Sequence, residues 1–251
     1  MLTTNLKPVL AAGISIASLT LSAFGHLSYS NRNFGTFTGL DFQNVTITGQ
    51  TVPNNWAWAD GTDADFVHSH EIRFFRFTLE STANVTISVL SLDPSAMLPG
   101  FSLYAGLAHL SPLDYETQLT IDYLATLPGP PKEGAFIATD TWKMGNDVSQ
   151  SVADFSTFTY VGNAADGTSA NYGEAPGING DGLADGFVAS TFLLGPGSYT
   201  LAIGGANYST QGLDSTADGV TVGVTVPEPT TTGLMLGGLA ILGLSRRRQS
   251  R

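Results

Sequence analysis

Alternation of apolar and polar residues with a period of two constrains this chain more than any other feature. In Val85-Thr86-Ile87-Ser88-Val89 the apolar side chains fall on one face of an extended strand and the hydroxyls on the other. That is the pattern of a half-buried antiparallel strand, with one face on a core and the other toward water. The same texture returns at 36–42, 45–48, 74–79, 101–104, 135–138, 155–161, 187–194, 198–203 and 220–226. These runs are rich in β-branched and aromatic residues and are bounded by Gly, Asn, Asp or Pro. About ten short strands with turn-rich connections imply an all-β fold, an antiparallel β-sandwich or jelly-roll-like single domain. Only residues 114–127 read as helix, with Leu119, Tyr123, Leu124 and Leu127 on one side and Pro128-Gly129-Pro130-Pro131 as a stop.

Composition removes whole classes of function. The 251 residues include no Cys, which excludes a disulfide scaffold, thiol catalysis and Cys-ligated zinc or iron–sulfur centres. Charged residues make up 12%, with 21 acids against 10 bases. Nucleic-acid binding is disfavoured, because it requires clustered Lys and Arg. With 42% hydrophobic and 10% aromatic residues the chain can build a core.

The two ends read as addresses. Residues 1–25 form a secretory signal peptide: Lys7 is the positive n-region, 9–21 an uncharged apolar stretch, and Ala23-Phe24-Gly25 a small-residue cleavage site. The apolar stretch is shorter than the roughly 20 residues that span a bilayer. Cleavage there makes His26 the new N-terminus.

At the other end, Val226-Pro227-Glu228-Pro229-Thr230 precedes an apolar run over 233–244, and Arg246, Arg247, Arg248 and Arg251 close the chain. The prolines hold the backbone extended, and the basic tail is expected to stay cytoplasmic. Gly237 and Gly238 each weaken a helix by about 1 kcal/mol relative to Ala, which suits a transient anchor. The order of these parts resembles the PEP-CTERM sorting signal of Gram-negative bacteria, here residues 227–251. The resemblance implies that an exosortase, a membrane-embedded processing enzyme, recognises Pro227, Glu228 and Pro229. It also implies transient inner-membrane anchoring, removal of the anchor, and release to the cell surface or an exopolysaccharide matrix.

Between the signals lies an exported body, 26–226. Its five basic residues stand against twenty acids, a formal charge of −15, so it is more anionic than the whole chain at −11. That balance favours solubility and attraction of cations. Asp60, Asp63 and Asp65 cluster around a Gly turn, the kind of oxygen-rich setting that suits calcium. Asn179, Asp181, Gly182 and Asp185 resemble part of the calcium loops of EF-hand and dockerin type. Gly177 stands at the first position of that pattern and Val188 at the twelfth, so two of its ligands are absent.

Histidines offer different chemistry. His68 and His70 are two apart and would share a face of a strand. The amino group and imidazole of His26 can chelate copper, and a further His can complete a three-nitrogen site. Such a brace on a β-sandwich resembles the lytic polysaccharide monooxygenases. There is no Gly-x-Ser-x-Gly elbow, His-Glu-x-x-His helix or phosphate-binding loop. Trp56, Trp58 and Trp142 are expected in the core.

Phe74 to Leu79, the 85–89 strand, Pro99-Gly100-Phe101-Ser102-Leu103-Tyr104 and Gly197-Ser198-Tyr199-Thr200-Leu201 are together similar to the bacterial pre-peptidase C-terminal type of β-sandwich. That resemblance implies a non-catalytic accessory domain. The leading expectation is a non-enzymatic surface or matrix protein, with calcium and extracellular polysaccharide as candidate ligands. The alternative is a polysaccharide-active enzyme, copper-dependent through His26 or hydrolytic through an Asp/Glu pair.

Overall fold

The computed structural model describes residues 27–58, 66–68, 71–109, 117–127, 135–146, 148–172, 177–210 and 216–228. Twelve strands follow one another along the chain: β1 (Asn33–Phe37), β2 (Gln43–Val52), β3 (Phe66–His68), β4 (Arg73–Leu79), β5 (Ala83–Ser91), β6 (Pro99–Ala105), β7 (Ala135–Ile137), β8 (Trp142–Met144), β9 (Ser156–Ala165), β10 (Phe187–Leu194), β11 (Gly197–Gly205) and β12 (Asp218–Val226). Among the described residues the helices are short: α1 (Gln118–Leu124), α2 (Ser169–Tyr172) and two 3-10 turns. The fold is mostly β, a sandwich of a six-stranded sheet, β1-β4-β11-β6-β9-β8, and a four-stranded sheet, β10-β5-β12-β2. β3 and β7 form a separate two-stranded ribbon.

The alternating residues explain the inner core. In β5, Val85, Ile87 and Val89 are fully buried, while Thr86 and Ser88 are only partly covered. They meet Val220, Val222, Val224 and Val226 of β12 from the same sheet, and Phe75, Phe77, Phe101, Leu103, Leu201 and Ile203 from the six-stranded sheet. Phe77 stacks on Tyr199 across the β4–β11 register with ring centroids 5.1 Å apart. The outward hydroxyls of the four-stranded sheet pair with each other, Thr86 Oγ1 lying 2.8 Å from Thr191 Oγ1.

The six-stranded sheet is buried on its other face as well. Leu27, Tyr29, Trp58, Ile72, Tyr104, Trp142 and Phe158 form a second apolar cluster there, beneath the connecting segments. Polar residues that strand alternation would send to water are therefore enclosed, and Ser102, Thr200 and Tyr104 are hydrogen-bonded there. Ser102 Oγ accepts from Trp58 Nε1 at 3.1 Å and donates to the Ala138 carbonyl at 2.6 Å. Thr200 Oγ1 donates to the Gly106 carbonyl at 2.7 Å and lies 2.6 Å from Tyr29 Oη. The Tyr104 hydroxyl donates to the Ile137 carbonyl. Gly100 leaves room for the Trp58 ring, with which a side chain there would collide, and Gly204 leaves room for Ile72 and the Trp58 Cβ.

Three local expectations are corrected. The apolar run at 36–42 is not one strand: β1 ends at Phe37 and β2 begins at Gln43. Gly39, at φ 73°, turns the chain between them, and Gln43 Oε1 accepts from the Thr38 amide at 2.7 Å. The sheet is not purely antiparallel, because β1 pairs with β4 in parallel. The helix expected over 114–127 is confined, among the described residues, to Gln118–Leu124, where Thr117 Oγ1 caps the Thr120 amide.

The buried outer face makes a measurable contrast. Ser102→Ala strands the Trp58 indole N–H and a carbonyl, and is expected to cost about 1–3 kcal/mol. Thr86→Ala on the open face should stay within about 0.5 kcal/mol of the parent. Urea unfolding of the two variants compares them directly; equal costs would mean that the outer cluster is solvated.

Candidate functional site

Two places carry chemistry. The first is the junction between the last strand and the C-terminal motif. β12 lies between β5 and β2, with Val226 opposite Gln43. Val226 is fully buried, and the next two residues, Pro227 and Glu228, are exposed. Proline has no N–H to continue the ladder, so sheet pairing ends where the Pro-Glu-Pro step starts. Core and motif therefore meet without a linker. Pro229, Arg246, Arg247 and Arg248 lie outside the described residues.

The second is an acidic loop packed on the end of β9. Ala165 and Gly180 form a parallel bridge, with the Ala165 amide donating to the Asn179 carbonyl and the Asp181 amide to the Ala165 carbonyl. Asn163, buried in β9, accepts from the Asn179 amide at 2.8 Å and donates to the Gly177 carbonyl at 2.8 Å. Asp166 is fully buried just beyond the strand. Its two carboxylate oxygens accept from the Asp185 amide at 3.1 Å and the Gly186 amide at 2.6 Å. Burial raises its pKa to about 6, helped by the nearby Asp181 and Asp185 charges and opposed by those two amide bonds.

Asp166 was not among the sequence-derived candidates, although it organises the loop that holds three of them. Its only sequence signal is an Asp-Gly step directly after the apolar Ala164-Ala165 pair. The three nominated residues do local work. Asp181 Oδ1 accepts from the Gly167 amide at 3.1 Å and the Leu183 amide at 3.0 Å, and Asp185 Oδ1 accepts from the Phe187 amide at 3.1 Å. Asn179 lends its backbone to the bridge. These are the side chain-to-backbone bonds by which Asx residues build turns. Val188, at the place of the missing bidentate ligand, is a core residue. Among the described residues no three His, Asp or Glu side chains come together as a metal-binding group.

His68 ends β3, where it pairs in register with Ala135 of β7. His26, His70, Asp60, Asp63 and Asp65 lie outside the described residues. His109 lines a shallow groove with Asn146, Ser149, Asp154 and Phe155, and its amide donates to Ser156 Oγ at 2.9 Å. Trp58 and Trp142 are core residues, as expected, whereas Trp56 is only partly buried; Trp142 stacks on Phe158 with centroids 4.7 Å apart.

Comparison with known proteins gives three findings. Residues 225–249 match the PEP-CTERM protein-sorting motif, so the motif begins inside β12. No curated protein matches the sequence. Among solved structures, the fold is similar to that of CorA of Methylomicrobium album BG8, described as a surface-associated copper-binding protein. That likeness has a TM-score of 0.50 and 16% identity, and covers 78% of this chain and 98% of CorA. The secreted protein MopE of Methylococcus capsulatus, in which an oxidised tryptophan is described as facilitating copper binding, aligns at a TM-score of 0.43 and 14% identity, over 79% and 87% of the two chains. The sorting motif marks an exported chain that an exosortase processes after transient anchoring in the membrane.

Because the pKa of Asp166 is raised, the folded state holds its proton more tightly than the unfolded chain does. Its contribution to stability is therefore complete below pH 3.8 and is lost as pH rises from there to about 6. Asp93 and Asp154, whose pKa values are lowered by hydrogen bonds from Ser95 and from the Gln150 and Ser151 amides, act in the opposite sense at more acidic pH. Melting temperatures measured across this range should fall with rising pH, and Asp166→Asn should flatten the fall. Equal slopes in both proteins would show that Asp166 titrates as an ordinary carboxylate.

Proposed function

We propose that this chain is a non-enzymatic surface protein whose β-sandwich is carried to the cell exterior by its C-terminal signal and left in contact with extracellular polysaccharide. The observation that carries this reading is the Val226–Pro227 junction. A complete sandwich ends at a fully buried residue, and the Pro-Glu-Pro step of the sorting motif begins at the very next position. Pro227 and Glu228 are exposed beyond the core, and removal of the tail is expected to leave the body intact.

Intact-mass measurement of the native surface form tests this reading. Loss of both 1–25 and the segment after the Pro-Glu-Pro step is expected. Replacing Pro227 and Pro229 by Ala should leave the tail attached. A surface form that retains Arg246 to Arg251 would make the tail a simple anchor.

Copper binding is the second reading, favoured by the similarity in fold to a surface-associated copper-binding protein. Among the described residues no group of three His, Asp or Glu side chains comes together. The reading therefore rests on His26, His68 and His70. When bound, copper would supply redox chemistry. Titration of the mature protein with copper, alone and as His68→Ala and His70→Ala, decides the matter. Saturable binding that both variants weaken at least tenfold is expected on this reading; binding unchanged by both would end it.

A further inference from the structure

The register of the four-stranded sheet shows what surrounds the exit of the C-terminal segment. Val226 of β12 stands opposite Gln43, the first residue of β2. Thr225 stands opposite Thr86 of β5, which places Asn84 level with Pro227. Asn84 in turn stands opposite Leu193 of β10. Phe42, Pro227, Asn84 and Leu193 thus form one row across the end of the sheet. The turn between β1 and β2 completes that end, fastened to the β4–β5 turn by the Ser81 hydroxyl, which donates to the Thr38 carbonyl.

Around the exposed Asn84, this row and the β1–β2 turn present large apolar side chains to solvent. Leu193 is 72% exposed, Leu40 65% and Phe42 58%. Pro196, in the turn from β10 to β11, is exposed as well. The charged residues of the turns at 38–42, 80–82 and 195–196 and of the chain exit at 227–228 are Asp41, Glu80 and Glu228, and these four segments contain no Lys or Arg. Large apolar side chains held in water at the tips of turns are costly unless something covers them.

Chain length limits what can cover them. Gly233, where the apolar run of the sorting segment begins, is five residues beyond Glu228. Fully extended, that stretch reaches about 18 Å. With the apolar run in the bilayer, the end of the sandwich that carries Leu40, Phe42 and Leu193 is held beside the membrane surface. We infer that this end of the sandwich docks on the lipid surface while the precursor is anchored, with Leu40, Phe42 and Leu193 as its contacts. The three carboxylates repel anionic headgroups, so the surface it fits is a neutral one. The inference rests on the anchoring assigned above.

The absence of cysteine makes the test direct, since any introduced Cys is unique. Full-length precursor carrying Phe42→Cys, Leu193→Cys or, as a control toward the other end of the same sheet, Leu92→Cys is spin-labelled and mixed with phosphatidylcholine vesicles. Labels at 42 and 193 are expected to become several-fold more accessible to lipid-soluble oxygen than to a water-soluble nickel chelate, while the label at 92 is unchanged. Precursor that sediments with vesicles but keeps all three labels in water would overturn the docking inference and leave the anchoring reading standing. Precursor that stays in the supernatant would overturn both. Unchanged melting temperatures confirm that each labelled chain is folded.

Discussion

Both faces of the six-stranded sheet are buried, and the rest of the molecule is arranged to permit it. One face meets the four-stranded sheet through aliphatic and aromatic side chains. The other is covered by connecting segments, the small β3–β7 ribbon among them. A loop layer brings carbonyls and amides with it, and these need partners where water is excluded. Ser102, Tyr104 and Thr200 supply them from the sheet. The central strands β6 and β11 are consequently buried along nearly their whole length. Phe101 and Leu103 serve the inner core, while Ser102 and Tyr104 fasten the outer layer.

This arrangement decides what could be read beforehand. β5 was legible because it meets water on one side, so Val85-Thr86-Ile87-Ser88-Val89 writes its burial into the sequence. β6 was legible as a strand but not as a doubly buried one, because Ser102 looks the same whether it faces water or a carbonyl. β3 and β8, three residues each, are too short to display a period. The turn at Gly39 was hidden by residues that happen to alternate, and depends on Gln43 reaching back to Thr38. The parallel pairing of β1 with β4 has no local signature, since strand direction is set by tertiary packing.

The candidate site divides along the same line. The Pro-Glu-Pro step and its apolar and basic sequel are local and linear, and were legible in full. The acidic loop was legible only as composition. Asn179, Asp181 and Asp185 were visible as a cluster, but their use in turns depends on Gly167 and Gly182, and on Asp166 and Asn163 thirteen or more residues earlier in the chain. A buried carboxylate that binds two backbone amides holds this loop against β9. Its raised pKa is a consequence of that enclosure.

Body and address therefore meet at a single peptide bond, between a core valine and an exposed proline. Such a boundary allows the signal to be recognised and removed without disturbing the sheet, although β12 lies inside that sheet and not at its edge. The most direct test compares the thermal unfolding of the mature body ending at Glu228 with that of a form keeping the complete tail. The account predicts the same melting temperature for both. A lower value for the shorter chain would show that the sorting segment is part of the fold, and would contradict the division at Val226.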